Sequence, residues 1–181
     1  MPGVLAFDPP PFLSSLPSVQ DRTNSVNGIR IVRHYGAADN DPRTSQRLVI
    51  VSLREVGAVP ALGAVAANGP LAGQTLRDAL LAAAQDTPNA ARITSVTKAE
   101  VGGQAAWRVA YQIPRPYWHK PEGELFPYEV YWVPVQTNQV AEIKLIADSA
   151  EHLQSLKTCL PRFKIIKPEP PTATVTTSVT P

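Results

Sequence analysis

Between Ile93 and Ala147 apolar and polar residues alternate with a period of two, the signature of half-buried strands. The stretch reads as two successive β-hairpins. The first is ITSVTKAEV, a turn at Gly102-Gly103, then QAAWRVAYQI; the second is YEVYWVPV, a turn near Thr137-Asn138, then QVAEIKLIA. A Gly-Gly pair between extended runs supplies the positive φ values that a two-residue hairpin loop needs. Ala105, Trp107, Val109, Tyr111 and Ile113 share one face of their strand, opposite Ala106, Arg108, Ala110 and Gln112, and the first set is assigned to the core. In the last strand Ala141, Ile143, Leu145 and Ala147 share a face, opposite Glu142 and Lys144.

Helical periodicity flanks the hairpins. Gln74 to Asp86 predicts a helix, with Thr75 and Asp78 in a capping pattern, Leu76, Leu80 and Ala83 on one face, and Pro88 as its stop. A second helix starts at an Asp148 N-cap with Glu151 in its first turn. Ala150, Leu153, Leu156 and Leu160 form its stripe and Pro161 its end. Upstream, Gly28 to His34 and the apolar Arg47 to Arg54 predict strands, the latter covered on both faces. Tyr35 to Ser45 is rich in turn formers, and Val56 to Gly73 is an Ala- and Gly-rich surface loop. Arg162 to Lys167 predicts a short terminal strand joining the hairpins in one antiparallel sheet.

This order predicts an α+β domain over residues 28–167, an antiparallel sheet covered by helices as an α/β/α sandwich. Residues 1–27, with five prolines and no sustained period, read as an irregular extension. Residues 168–181 read as a disordered Pro/Thr-rich tail.

Composition narrows the function classes. Hydrophobic residues make up 44% and charged residues 18% of the 181, enough apolar content for one packed core. The 17 basic residues form no run and net charge is +2, which argues against nucleic acid or an anionic membrane as the main partner. No run reaches the roughly 18 apolar residues of a membrane span. The single cysteine excludes an internal disulfide. The N-terminus lacks a basic n-region, and Asp8 and Pro9 to Pro11 interrupt its apolar stretch, so it does not read as a signal peptide. A cytoplasmic location is the default expectation; an exported one holds if a leader was removed.

The helix TLRDALLAAAQ, the hairpin VTKAEVGGQAAWRVAYQI, the strand and helix start EIKLIADSAEHL and the ending LPRFKII resemble a known superfamily. It holds the PsbP proteins of photosystem II, the Ran-binding Mog proteins and the LpqN-type bacterial lipoproteins. Val101, Gly103, Ala106 and Tyr111 carry its hairpin pattern and Phe163 its closing aromatic strand; the likeness covers roughly residues 74–167. It implies a PsbP-like fold and a subunit or assembly factor of a larger complex, with no shared catalytic residues.

Eight of the twelve aromatic residues lie between Trp107 and Trp132. Strand alternation places Trp107 and Tyr111 in the core, together with either Tyr128 and Trp132 or Tyr131. Tyr117 and Trp118 fall in a proline-bounded connection where no period buries them. With Arg115, His119 and Lys120 beside them they have the composition of a binding hot spot. The competing account is a loop folded back on its own sheet. His119, Glu122 and Glu124 match no standard metal spacing, so solvated charges are the expectation and no metal or cofactor is assigned. Cys159, at a helix C-terminus, reads as a small core residue; no serine lies in a G-x-S-x-G elbow, and the glycines at 57, 63, 69 and 73 make no phosphate loop.

The expected function is thus a non-enzymatic accessory or binding protein with a protein partner. The alternatives are a chaperone for a secreted or membrane client, or an envelope-associated carrier of a small apolar or glycosidic ligand.

Overall fold

Nine strands and one helix are described by the computed structural model, over residues 5–16, 29–37, 47–55, 92–114, 125–136 and 139–166. The strands are β1 (Leu5–Phe7), β2 (Leu13–Ser15), β3 (Ile29–Ala37), β4 (Arg47–Glu55), β5 (Arg92–Val101), β6 (Gln104–Pro114), β7 (Leu125–Gln136), β8 (Gln139–Ala147) and β9 (Phe163–Ile165). The helix α1 (Ala150–Lys157) follows β8, and a 3-10 turn at Leu160–Arg162 leads into β9. Seven strands form one antiparallel sheet in the order β2-β3-β4-β8-β7-β6-β5. The class is α+β, as expected. The described helix lies on one face of the sheet, and the helix expected at 74–86 falls outside the described residues, as do the 56–73 loop, the turn at 137–138 and the 168–181 tail.

Both hairpins form where the pattern places them. Gly102 and Gly103 adopt φ of 55° and 76°, the left-handed values a two-residue loop demands. Gly102 is needed twice over: its N–H donates to the Leu160 carbonyl at 3.0 Å, and a Cβ there would lie 1.8 Å from the Phe163 oxygen.

Strand register decides what each face carries. Ile143 opposes Tyr131, which opposes Arg108, so these share the face on which α1 packs. There Leu145, Ile143, Val133, Val49, Leu156, Cys159 and Phe163 are fully or almost fully buried. Trp107 opposes Trp132, which opposes Glu142, on the other face. The assignment of Trp107 and Val109 to one core with Ile143 and Leu145 is therefore corrected. Period-two alternation sorts residues into two sets but cannot say which set meets the helix, and here both sets hold buried residues: Ala106 and Ala110 on the helix side, Val109 and Tyr111 on the other. Val109 is fully buried, whereas Trp107 is only half-buried. Of the two aromatic options on β7, Tyr128 and Trp132 share the face of Trp107 and Tyr111, with Trp132 buried and Tyr128 half-buried, while Tyr131 is buried on the opposite face beneath the helix.

Three further expectations change. The segment before residue 28 is not wholly irregular: β1 pairs with β9 and β2 with β3. Three-residue strands carry no legible period, and their partners are distant in sequence. For the same reason β9 leaves the main sheet, and with β1 it makes a separate two-stranded sheet over the helix-side core. There Phe7 stacks on Phe163 with ring centroids 4.2 Å apart. Lastly, the N-cap of α1 is Ser149, whose Oγ accepts from the His152 N–H at 3.1 Å; Asp148 instead pairs with the His152 ring.

Candidate functional site

Strand β7 carries alternating groups to two polar centres, one on each face of the sheet. Under the helix, Glu129 is 2% exposed, yet it lies on a strand between apolar neighbours. Arg108 of β6 donates to its Oε1 and Tyr131 to its Oε2, each at 2.5 Å, and Lys157 Nζ of α1 lies 2.9 Å from Oε1. Burial pushes the Glu129 carboxyl upward, but hydrogen bonds from Arg108, Tyr131 and Lys157 outweigh it and hold it below its ordinary value. Helix and sheet are thereby tied through one carboxylate.

On the opposite face Glu142 is 3% exposed. The Trp132 indole N–H donates to its Oε2 at 3.0 Å, Arg54 Nε lies 2.9 Å from the same oxygen, and Lys144 Nζ lies 3.1 Å from Oε1. Only the indole bond is well directed. Arg54 Nε and Glu142 Oε1 have no aligned hydrogen bond, so the cations hold the carboxylate chiefly by charge. Burial raises its pKa, and Lys144, Arg54 and Trp132 together bring it below the ordinary value. Tyr111 and Tyr128 pack two rows away on the same face, ring centroids 5.4 Å apart, with both phenols pushed above their usual range by burial. His34 stands on the same face, its pKa lowered by burial and by Lys144.

Each carboxylate is thus ionised at neutral pH and already occupied. A general acid or base for neutral conditions wants a group poised near pH 7 and free to exchange its proton; neither Glu129 nor Glu142 is that. Cys159 is fully buried, and burial pushes its thiol up to about 11. Among the described residues no cluster of His, Cys, Asp and Glu is suited to hold a metal ion.

Arg115, Tyr117, Trp118, His119 and Lys120 lie outside the described residues, as do Glu122 and Glu124. Their stems do not: Pro114 and Leu125 are directly paired, so the connection leaves and re-enters the sheet at one point, just beyond the Tyr111–Tyr128 contact. Sequence reasoning passed over Glu129 and Glu142. The only trace of them is a lone acidic residue inside an apolar strand, in YEVYW and AEIKLI, which reads equally well as a solvated face.

Neither a protein-family model nor a curated protein matches the sequence. Among solved structures, LpqN of Mycobacterium tuberculosis, described as involved in cell envelope biogenesis, aligns over 92% of this chain and 86% of its own. Its TM-score is 0.55 at 14% identity. Cyanobacterial PsbP from Synechocystis aligns over 90% of this chain and 93% of its own, with TM-score 0.47 at 12% identity. A putative regulator of unknown function from Pseudomonas aeruginosa gives TM-score 0.47 at 15% identity, over 77% and 83%. The likeness to LpqN shows a shared fold, the one that the helix and hairpin spellings resemble. No helix among the described residues is long and apolar enough to cross a membrane.

Proposed function

We propose that this chain is a non-catalytic binding module, a subunit or assembly factor of a larger protein complex, that meets its partner through Arg115, Tyr117, Trp118, His119 and Lys120. The observation that carries the reading is the paired stem at Pro114 and Leu125 above the packed Tyr111 and Tyr128 rings. It roots a segment of hot-spot composition on a rigid seven-stranded platform, the usual way recognition is attached to a scaffold. The occupied state of both buried carboxylates supports a binding rather than a catalytic role. The test is affinity purification of the full chain from its native host. The wild type is expected to retain a protein that the Tyr117→Ala/Trp118→Ala variant loses. Recovery of the same protein at the same yield with both would sink the proposal.

A second reading, a carrier of a small apolar or glycosidic ligand in the cell envelope, is favoured by the face bearing Val109, Val130, Tyr111, Tyr128 and Trp132 around Glu142. The fold shared with LpqN agrees with it. Organic extraction of the natively purified protein, followed by mass spectrometry, should then yield a stoichiometric small molecule. An empty extract would exclude this reading. The chaperone alternative has less support, because Ile166 is the one exposed large hydrophobic among the described residues.

A further inference from the structure

Strand β5 closes one side of the main sheet, and its residues Thr94, Thr97, Lys98 and Glu100 are exposed. The direction of its backbone groups follows from the turn. A two-residue loop makes Val101 and Gln104 a hydrogen-bonded pair, and bonded pairs then alternate along the ladder. Thr97 and Ala99 accordingly bond to β6, while Val96, Lys98 and Glu100 turn their N–H and C=O groups away from it. At Gly102 the same outer edge is already taken, because its N–H donates to the Leu160 carbonyl. Among the described residues the open window therefore runs from Val96 to Glu100. It is long for an edge that only one lysine guards, since natural sheets normally blunt such an edge or cover it.

Lys98 and Glu100 lie on one face of the strand, two residues apart, so an added antiparallel strand with Lys-x-Glu meets each with the opposite charge. β5 itself reads Lys98-Ala99-Glu100 and supplies this pattern, but an antiparallel second copy centred on Ala99 would bring its Val96 opposite Gly102, where the Leu160 carbonyl sits. That obstruction favours a different chain. We propose that β5 is a strand-addition site that takes an extended segment of a protein partner. The segment carries a carboxylate opposite Lys98 and a cation opposite Glu100, and it ends before Gly102. Main-chain bonds would supply the affinity and the two charges the register.

Amide hydrogen exchange on the full chain tests this, with short capped peptides centred on Lys-Val-Glu or on the reversed Glu-Val-Lys as probes. In the free protein the amides of Val96, Lys98 and Glu100 should exchange fast while those of Thr97 and Ala99 are protected. The Lys-Val-Glu peptide should slow the first three and bind about tenfold more tightly than the reversed one. The K98E/E100K double variant, at two exposed positions, should invert that preference. Slow exchange at all five amides in the free protein would show an edge covered by the chain itself. Protection that grows with protein concentration would show a second copy. Either result, or equal binding of both peptides, overturns the proposal.

Discussion

Trp132 donates its indole N–H to Glu142 from the neighbouring strand, at 3.0 Å, and both side chains are buried. A single strand step away on β7, Tyr131 makes the corresponding bond to Glu129 on the opposite face. The sheet therefore carries a buried carboxylate on each side, each held by an aromatic donor and two cations.

Breaking such a centre from one side should cost more than neutralising it. Glu142→Ala leaves Arg54 and Lys144 facing a low-dielectric region without their counter-charge, and about 3–5 kcal/mol of stability should be lost. Glu142→Gln keeps an acceptor for Trp132 and should cost less. Urea unfolding of both variants checks the order, and equal losses would mean that the charge itself contributes little.

The pH dependence follows from the two lowered carboxyls. A group whose folded pKa lies below its unfolded one stabilises the fold above the unfolded value, about 4.3 for glutamate, and that stabilisation is lost as pH falls through the folded value. Glu129 and Glu142 both behave this way. The unfolding midpoint should fall steeply as pH drops from about 5 toward 3. Glu129→Gln should flatten that slope, and a slope unchanged in the variant would contradict the assignment.

How much of this was legible in the sequence depends on how local the determinant is. The Gly102-Gly103 turn, the strands on either side of it and the Ala141-Ile143-Leu145-Ala147 face are written in neighbouring residues, and the structure places them as read. The face occupied by Trp107 is not, because both faces of β6 are partly buried and only the position of α1 shows which one meets the helix. The pairing of β1 with β9 joins residues at opposite ends of the chain through strands too short to show a period. Glu129 and Glu142 were hidden because their partners Arg108, Lys157, Arg54 and Lys144 come together only through register and helix docking. The binding residues proposed at 115–120 rest on sequence composition and on the geometry of their stem.

The two tryptophans of the opposed pair should differ in cost. Trp132→Ala removes a buried ring and the directed bond to Glu142, so about 3–5 kcal/mol is expected. Trp107→Ala, at a half-buried position, should cost at least about 1 kcal/mol less. Equilibrium denaturation of the pair decides this, and a larger loss for Trp107 would reverse the reading of that face.

The turn offers a contrast between two glycines with similar backbones. Gly103→Ala meets no neighbour and should cost about 1–2 kcal/mol, the strain of a left-handed residue. Gly102→Ala adds a collision with the Phe163 carbonyl and should cost clearly more, displacing β9 from the turn. Thermal melts showing equal midpoints for both variants would contradict the packing of β9 on the turn.

The central claim, a partner surface at the segment carried between Pro114 and Leu125, is tested most directly by equilibrium binding of the purified native partner. Wild type is compared with the Tyr117→Ala/Trp118→Ala variant, and circular dichroism and unfolding midpoints confirm that both are folded. The account predicts an unchanged fold and a Kd weakened by more than about thirtyfold, the scale of a lost hot spot. A folded variant that binds with the wild-type Kd would contradict it.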